Sequence, residues 1–125
     1  LIGADLSRVN LSNVNLCEAD LSGVNLSEAD LHGADLSEAV LCGTDMSYAN
    51  LTGANLSSSN LTGAIFNGAN LSYTNLSYAI LENVDLTYAN LEGIIWNDNQ
   101  SWVGVRGLET AVNVPAALKQ QLGLS

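Results

Sequence analysis

The sequence predicts an all-β solenoid, a four-sided coil of short strands closed at its C-terminal end by a short α-helical cap. Three observations carry that prediction. Leucine returns every fifth residue, as at 21, 26, 31 and 36 in ADLSGVNLSEADLHGADLSEA. A small or branched apolar residue stands two places before nearly every one of those leucines. The second residue after each leucine alternates in character with a period of ten. A helix repeats near every third or fourth residue and a half-buried strand every second, so a beat of five fits neither. Held over most of a chain, such a beat marks a repeat architecture.

Each unit divides into a side and a corner. From residue 1 to 96 the central place holds 17 Leu plus Met46, Phe66 and Trp96. The place two earlier holds eleven Ala and four Val, with Thr44, Ser59 and Thr74 its only polar residues. Between them stands Asp or Asn in 15 of 19 units. Two apolar places flanking a polar one make a three-residue piece of strand, ends inward and middle outward. The remaining two residues turn the chain, which suits Gly, Asn and Ser. The inner lining is therefore Leu beside Ala, since close packing in a narrow lumen admits only one bulky chain per side. Inward files run through Leu21, Leu41 and Leu61, with Met46 and Phe66 in neighbouring places.

The corners set the number of sides. Gly fills seven of ten places at 3, 13, 23 and onward by tens, but only Gly68 among the ten at 8, 18, 28 and onward. A turn of fifteen residues would stack these two classes on one another; a turn of twenty keeps them on alternate corners. Gly is expected to mark turns needing φ > 0 and the bulkier residues a different turn type. Twenty units then make about five coils, a rod of about 24 Å at the usual inter-strand spacing.

After Trp96 the beat stops. NDNQSWVGVRGLETAVNVPAALKQQLGLS contains the single Pro and two of the three bases. Pro115 at a first helical position, then AALKQQL, then Gly123, predicts a helix near 115–122. Val114, Leu118 and Leu122 share a face that is expected to cover the last coil near Trp96. The organisation expected is a repeat domain over 1–98 and a capping segment over 99–125. The repeat is already in phase at Leu1, so a removed upstream segment is expected.

Bulk composition narrows the function classes. In 125 residues there are 13 acids against 3 bases, a net charge of −10. Nucleic-acid binding needs Lys and Arg at phosphates, so no direct contact of that kind is expected. No run approaches the roughly 18 apolar residues of a membrane helix. No leader pattern is visible. The compartment stays open: the cytoplasm is favoured, with thylakoid lumen or periplasm as alternatives if a leader was removed.

The residues that could carry chemistry are few and scattered. His32 stands alone at an outward corner, between Ser12 and Thr52 one turn away, with no nucleophile to serve. Cys17 and Cys42 fall on adjacent faces, too far apart for a disulfide, and read as free thiols. The acids do not converge, and the glycine-and-Asp nonapeptide of calcium β-rolls is absent. No flat column of Thr exists to bind ice. No catalytic residue, cofactor or metal ligand is therefore assigned.

The outward apolar residues are more suggestive. Val40 and Ile80 share a column, Ile65 lies on the next face, and Tyr78 stands at the corner before Ile80. Tyr48 and Tyr88 flank Gly68, which is expected to leave a shallow notch. No acid occurs from Met46 to Leu81. A neutral, Tyr-rich waist suits a protein partner.

The residues from Leu1 to Asp98 resemble the pentapeptide repeat family, whose pattern is approximately A(D/N)LXX. The local composition is most similar to cyanobacterial and plastid members. The resemblance implies a right-handed quadrilateral β-helix with the central Leu and preceding Ala facing in. Val40, Ile65, Ile80 and Ile95 depart from the outward Asp or Asn. Two functions follow as expectations. The first is a non-catalytic scaffold that binds an unidentified protein, as a monomer or weak dimer. The alternative is DNA mimicry toward a topoisomerase, as in the gyrase-binding members of the family. The charge agrees in sign with that alternative, while the short rod and neutral middle oppose it.

Overall fold

The computed structural model describes residues 1–124. Four ladders of parallel single-residue bridges define it, and successive rungs as far as Ile95 are twenty residues apart. The first side stacks Asp5, Asn25, Asp45, Ile65 and Asp85, and the second stacks Asn10, Asp30, Asn50, Asn70 and Asn90. The third stacks Asn15, Asp35, Asn55, Asn75 and Ile95, and the fourth stacks Asp20, Val40, Asn60 and Ile80. The chain thus turns a corner between each side and the next, and side n of one turn lies on side n of the turn before.

A complete account of the backbone donors shows why a unit of five can do this. In the unit 44–48, the Thr44 N–H closes the corner onto the Leu41 carbonyl at 3.1 Å. The Asp45 N–H reaches back to the Val24 carbonyl at 3.2 Å. The N–H groups of Met46 and Tyr48 reach forward to the carbonyls of Ile65 and Asn67, at 2.7 and 2.8 Å. The fifth donor, the Ser47 N–H, has no backbone acceptor and takes the Asp45 carboxylate at 3.0 Å. The outward Asp or Asn is therefore more than a solvated group: it is the one side chain the backbone of its unit requires.

The core is a stack of leucines. Leu21, Leu41, Leu61, Met46 and Phe66 are all at most 1% exposed. Where the Ala place holds a hydroxyl it is buried and satisfied: Thr44, Ser59 and Thr74 donate to the carbonyls of Leu21, Leu56 and Leu51 at 2.7–2.8 Å. In the first turn Leu6, Leu11 and Leu16 are only partly buried.

Two expectations about the corners need correction. Bulky and glycine corners do not differ in turn type. Arg8, Glu18, Glu28, Glu38, Tyr48, Ser58, Tyr78 and Tyr88 all have φ between 58° and 63°, beside 65–69° at Gly23, Gly43 and Gly63. Positive φ at the third turn residue alone is the type II geometry throughout. The left-handed cost at a non-glycine, about 1–2 kcal/mol, is borne because the same residue donates to the next turn. The second correction concerns the notch at Gly68. The Tyr48 ring lies across Gly68, where an added Cβ would collide with Cδ1 and Cε1 of that ring. Tyr73 covers Gly93 in the same way. Glycine is needed at these corners for the approach of an aromatic ring from the turn below, and no notch is left.

The tail differs from its reading in two respects. The boundary at 98 marks the end of the leucine beat and not the end of the ladder, since Arg106 bridges Asp85 and Val112 bridges Asn90. The spacings are 21 and 22, so each of these last sides carries slack. The places that follow the bridges, held by leucine in earlier turns, hold Gly107 and an exposed Asn113 whose Nδ2 donates to Asn90 Oδ1. The helix α1 then spans Ala116–Leu122. Pro115 is its N-cap, with ψ of 137°, and not its first helical residue; its carbonyl accepts from the Lys119 N–H at 3.0 Å. Gly123 ends the helix at φ 73°. Leu118 is fully buried, with Trp96, Trp102, Val114 and Leu122 packed around the same cluster. The Trp96 indole donates to Gln121 Oε1 at 3.0 Å, and Gln121 Nε2 to the Asp98 carbonyl at 2.9 Å.

Candidate protein-interaction surface

The outward places are built from the corner upward. Where Asp or Asn is present, its Oδ1 accepts the N–H two residues on, in all fifteen such units. Ser or Thr two residues on adds its hydroxyl, as Ser37 does to Asp35 at 2.6 Å. That double donation lowers the pKa of Asp5, Asp20 and Asp35, the hydroxyl contributing most. Asp85 is also lowered, chiefly by the Thr87 hydroxyl, against some desolvation.

Val40, Ile65 and Ile80 break this scheme. Without an Oδ1, the N–H groups of Cys42, Asn67 and Glu82 find no protein acceptor among the described residues. At Ile95 the equivalent Asn97 N–H is taken by Gln100 Oε1 at 3.3 Å. Val40, Ile65 and Ile80 therefore each cost a corner bond and place a hydrophobe at an outward position. Ile80 is 47% exposed, while Val40 and Ile65 are partly buried.

The structure does not gather all six candidate residues onto one surface. Tyr48 and Tyr88 stand on the corner between the first and second sides, and Tyr78 on the corner between the third and fourth. Those corners are diagonal to each other. One group is Tyr78, Ile80 and Val40 along the fourth side; the other is Tyr48 and Tyr88, with Ile65 on the first side between the groups. The rings are well presented, with Tyr48, Tyr78 and Tyr88 at 64–70% exposure. Tyr73, 58% exposed on a third corner, was not distinguished from its glycine neighbours by the spacing of the sequence.

Beside Tyr78 and Ile80 lies a cavity of about 310 Å³, between the fourth side and the tail at Asn97, Asn99, Gln100 and Ser101. No sequence signal pointed to it. It exists because the tail leaves the ladder here while Gln100 turns inward, its Nε2 on the carbonyls of Leu76 and Ala79 at 2.6 and 3.0 Å.

The other candidates stay apart. Cys17 is exposed and Cys42 partly buried, and both are free thiols; the Ser37 hydroxyl approaches Cys17 Sγ at 3.4 Å. His32 Nδ1 lies 3.6 Å from Asp30 Oδ1 at an exposed corner. Among the described residues no three His, Cys, Asp or Glu side chains are grouped to hold a metal.

A family model described as pentapeptide repeats matches in eight copies, over residues 1–37, 25–63, 34–72 and 64–94. Among solved structures, Rfr23, a pentapeptide repeat protein from the cyanobacterium Cyanothece 51142, is 42% identical with a TM-score of 0.59. That match covers 78% of this chain and 63% of Rfr23, so the chain spans less than two thirds of that relative. A pentapeptide repeat protein from Nostoc Pcc 7120 is 34% identical over 83% of this chain and 86% of its own, with a TM-score of 0.69. Comparison with curated proteins gives no match.

Proposed function

Because the chain belongs to the pentapeptide repeat family, we propose that it is a non-catalytic interaction scaffold whose outward Tyr and Ile side chains engage another protein. One observation carries this reading: Tyr48, Tyr78 and Tyr88 are mostly exposed, yet each is fixed at φ near 60° on a hydrogen-bonded corner. A ring carried on a rigid backbone corner needs no backbone ordering when a partner covers it, and Tyr has few side-chain torsions to immobilise. The right-handed, four-sided, five-coil rod is the frame on which this reading depends. DNA mimicry is the second reading; the net charge of −10 favours it. A duplex presents charge at every step, however, and the stretch from Met46 to Leu81 contains no acid. The scaffold reading is therefore preferred.

Affinity capture from cell lysate tests it with two variants, Tyr48→Ala/Tyr88→Ala on one corner and Tyr78→Ala/Ile80→Ser on the other. Loss of a captured partner by at least one variant, with circular dichroism unchanged, is expected. Retention of every captured protein by both would end the proposal.

A further inference from the structure

The fourth side ends first, after four bridged residues against five on the third side and six on the first and second. Like the third side at Trp96, it leaves its last forward donor unmatched among the described residues. On its first three rungs the forward donor is matched: Leu21 to Val40, Leu41 to Asn60 and Leu61 to Ile80, at 2.8–2.9 Å. On the next rung the Leu81 N–H has no acceptor among the described residues. The tail crosses this rung without pairing, and its side chains substitute where they can. Asn97 Oδ1 takes the Tyr78 N–H at 2.7 Å, and Gln100 Nε2 reaches the Ala79 carbonyl. Nothing reaches Leu81. The Glu82 N–H beside it is also unmatched, because Ile80 supplies no Oδ1.

The missing bond coincides with the cavity of about 310 Å³, which Leu81, Ile80, Tyr78 and Glu82 line. That volume is at the low end of the roughly 300–1,000 Å³ typical of small-ligand clefts. Ala79 and Leu81, 5% and 2% exposed, form part of the cavity wall. A buried backbone donor without a partner is costly, so an acceptor entering the seam gains more than it would at an ordinary surface.

From these features we infer that the seam takes a short extended peptide carrying a basic side chain beside an apolar one. This deepens the scaffold reading and rests on it. One peptide carbonyl accepts the Leu81 N–H, as the Ile80 carbonyl does for Leu61 one turn below. The alternate side chains of an extended segment point to opposite faces, so an apolar one can lie between Tyr78 and Ile80. Its basic neighbour meets Glu82, the one charged residue lining the cavity, on a chain of net charge −10.

The test is titration of the full chain with the blocked pentapeptides TKVKT and TEVET, followed through the backbone amide resonances. Expected is a saturable shift at Leu81 with TKVKT and binding about tenfold weaker for TEVET, as like charges a few ångströms apart require. Glu82→Lys should reverse that order. Ile80→Asn, which restores the regular repeat residue and so keeps the fold, should abolish binding. A Leu81 amide that stays still at millimolar TKVKT overturns the inference, as do equal shifts from TEVET or full binding by Ile80→Asn. If capture of a protein partner nevertheless depends on Tyr78 and Ile80, the scaffold reading stands and only its peptide form falls.

Discussion

At the scale of the residue, the outward Asp or Asn decides more than its exposure suggests. Fifteen of these side chains accept an N–H that has no other acceptor, and at Val40, Ile65 and Ile80 that acceptor is absent. Restoring it should stabilise the rod. An intramolecular hydrogen bond contributes about 1 kcal/mol net, and removing an outward, partly exposed hydrophobe costs less than that in return. Val40→Asn and Ile80→Asn should therefore each raise stability by about 0.5–1.5 kcal/mol, readable as a higher urea midpoint at unchanged m-value. A lower midpoint in both variants would show that the corner bond is not what the repeat selects. That three places forgo the bond, two of them on one column, is the strongest local sign that this column serves something besides folding.

At the scale of the element, legibility in the sequence followed periodicity. The solenoid could be read because Leu and Ala recur at fixed places, and twenty as the turn length could be read because Gly clusters on alternate corners. The physical reason attached to that clustering was wrong. Every corner takes the same left-handed residue, and glycine at 68 and 93 answers to the rings of Tyr48 and Tyr73 lying over it. A sequence pattern reports that something distinguishes two classes, not what, and side-chain direction between turns is invisible in one dimension. The last half turn was illegible for a related reason. Gly107 and Asn113 stand where leucines should, so the ladder continues through Arg106 and Val112 without its signature. Leu118 of α1 supplies the missing bulk from outside the ladder. Leu118→Ala should thus cost about 2–5 kcal/mol, the range for a fully buried leucine, despite lying beyond the repeats. Thermal unfolding of the variant measures it, and a cost like that of an exposed substitution would show α1 to be an ornament on the rod.

At the scale of the whole molecule, two electrostatic effects of opposite sign compete as pH falls. The net charge of −10 repels itself near neutrality, so protonating carboxylates relieves strain on the compact state. Against this, Asp5, Asp20, Asp35 and Asp85 have pKa values below the ordinary carboxylate range because hydroxyl and N–H groups donate to them. A carboxyl depressed in the folded state binds fewer protons there than when unfolded. It contributes stability above the unfolded value of about 3.9, and that contribution is lost as pH falls through the lower folded value. The capping bonds act at contact distance and are little screened, while repulsion between outward charges is cut off beyond about 8 Å at physiological salt. In that salt the capping bonds should win, and the melting temperature should fall between about pH 5 and pH 3. In low salt the relief of repulsion offsets more of the loss, and the slope should be shallower. The variant Asp20→Asn/Asp35→Asn/Asp85→Asn separates the two, because Asn already fills the same place in units such as Asn55 and Asn60, where it accepts the same donors. It keeps the corners and removes their titration, so its melting temperature should stay nearly level across that window. A triple variant that melts with the same acid slope as the parent would mean that these three carboxylates, for all their hydrogen bonds, do not set the acid stability of the rod.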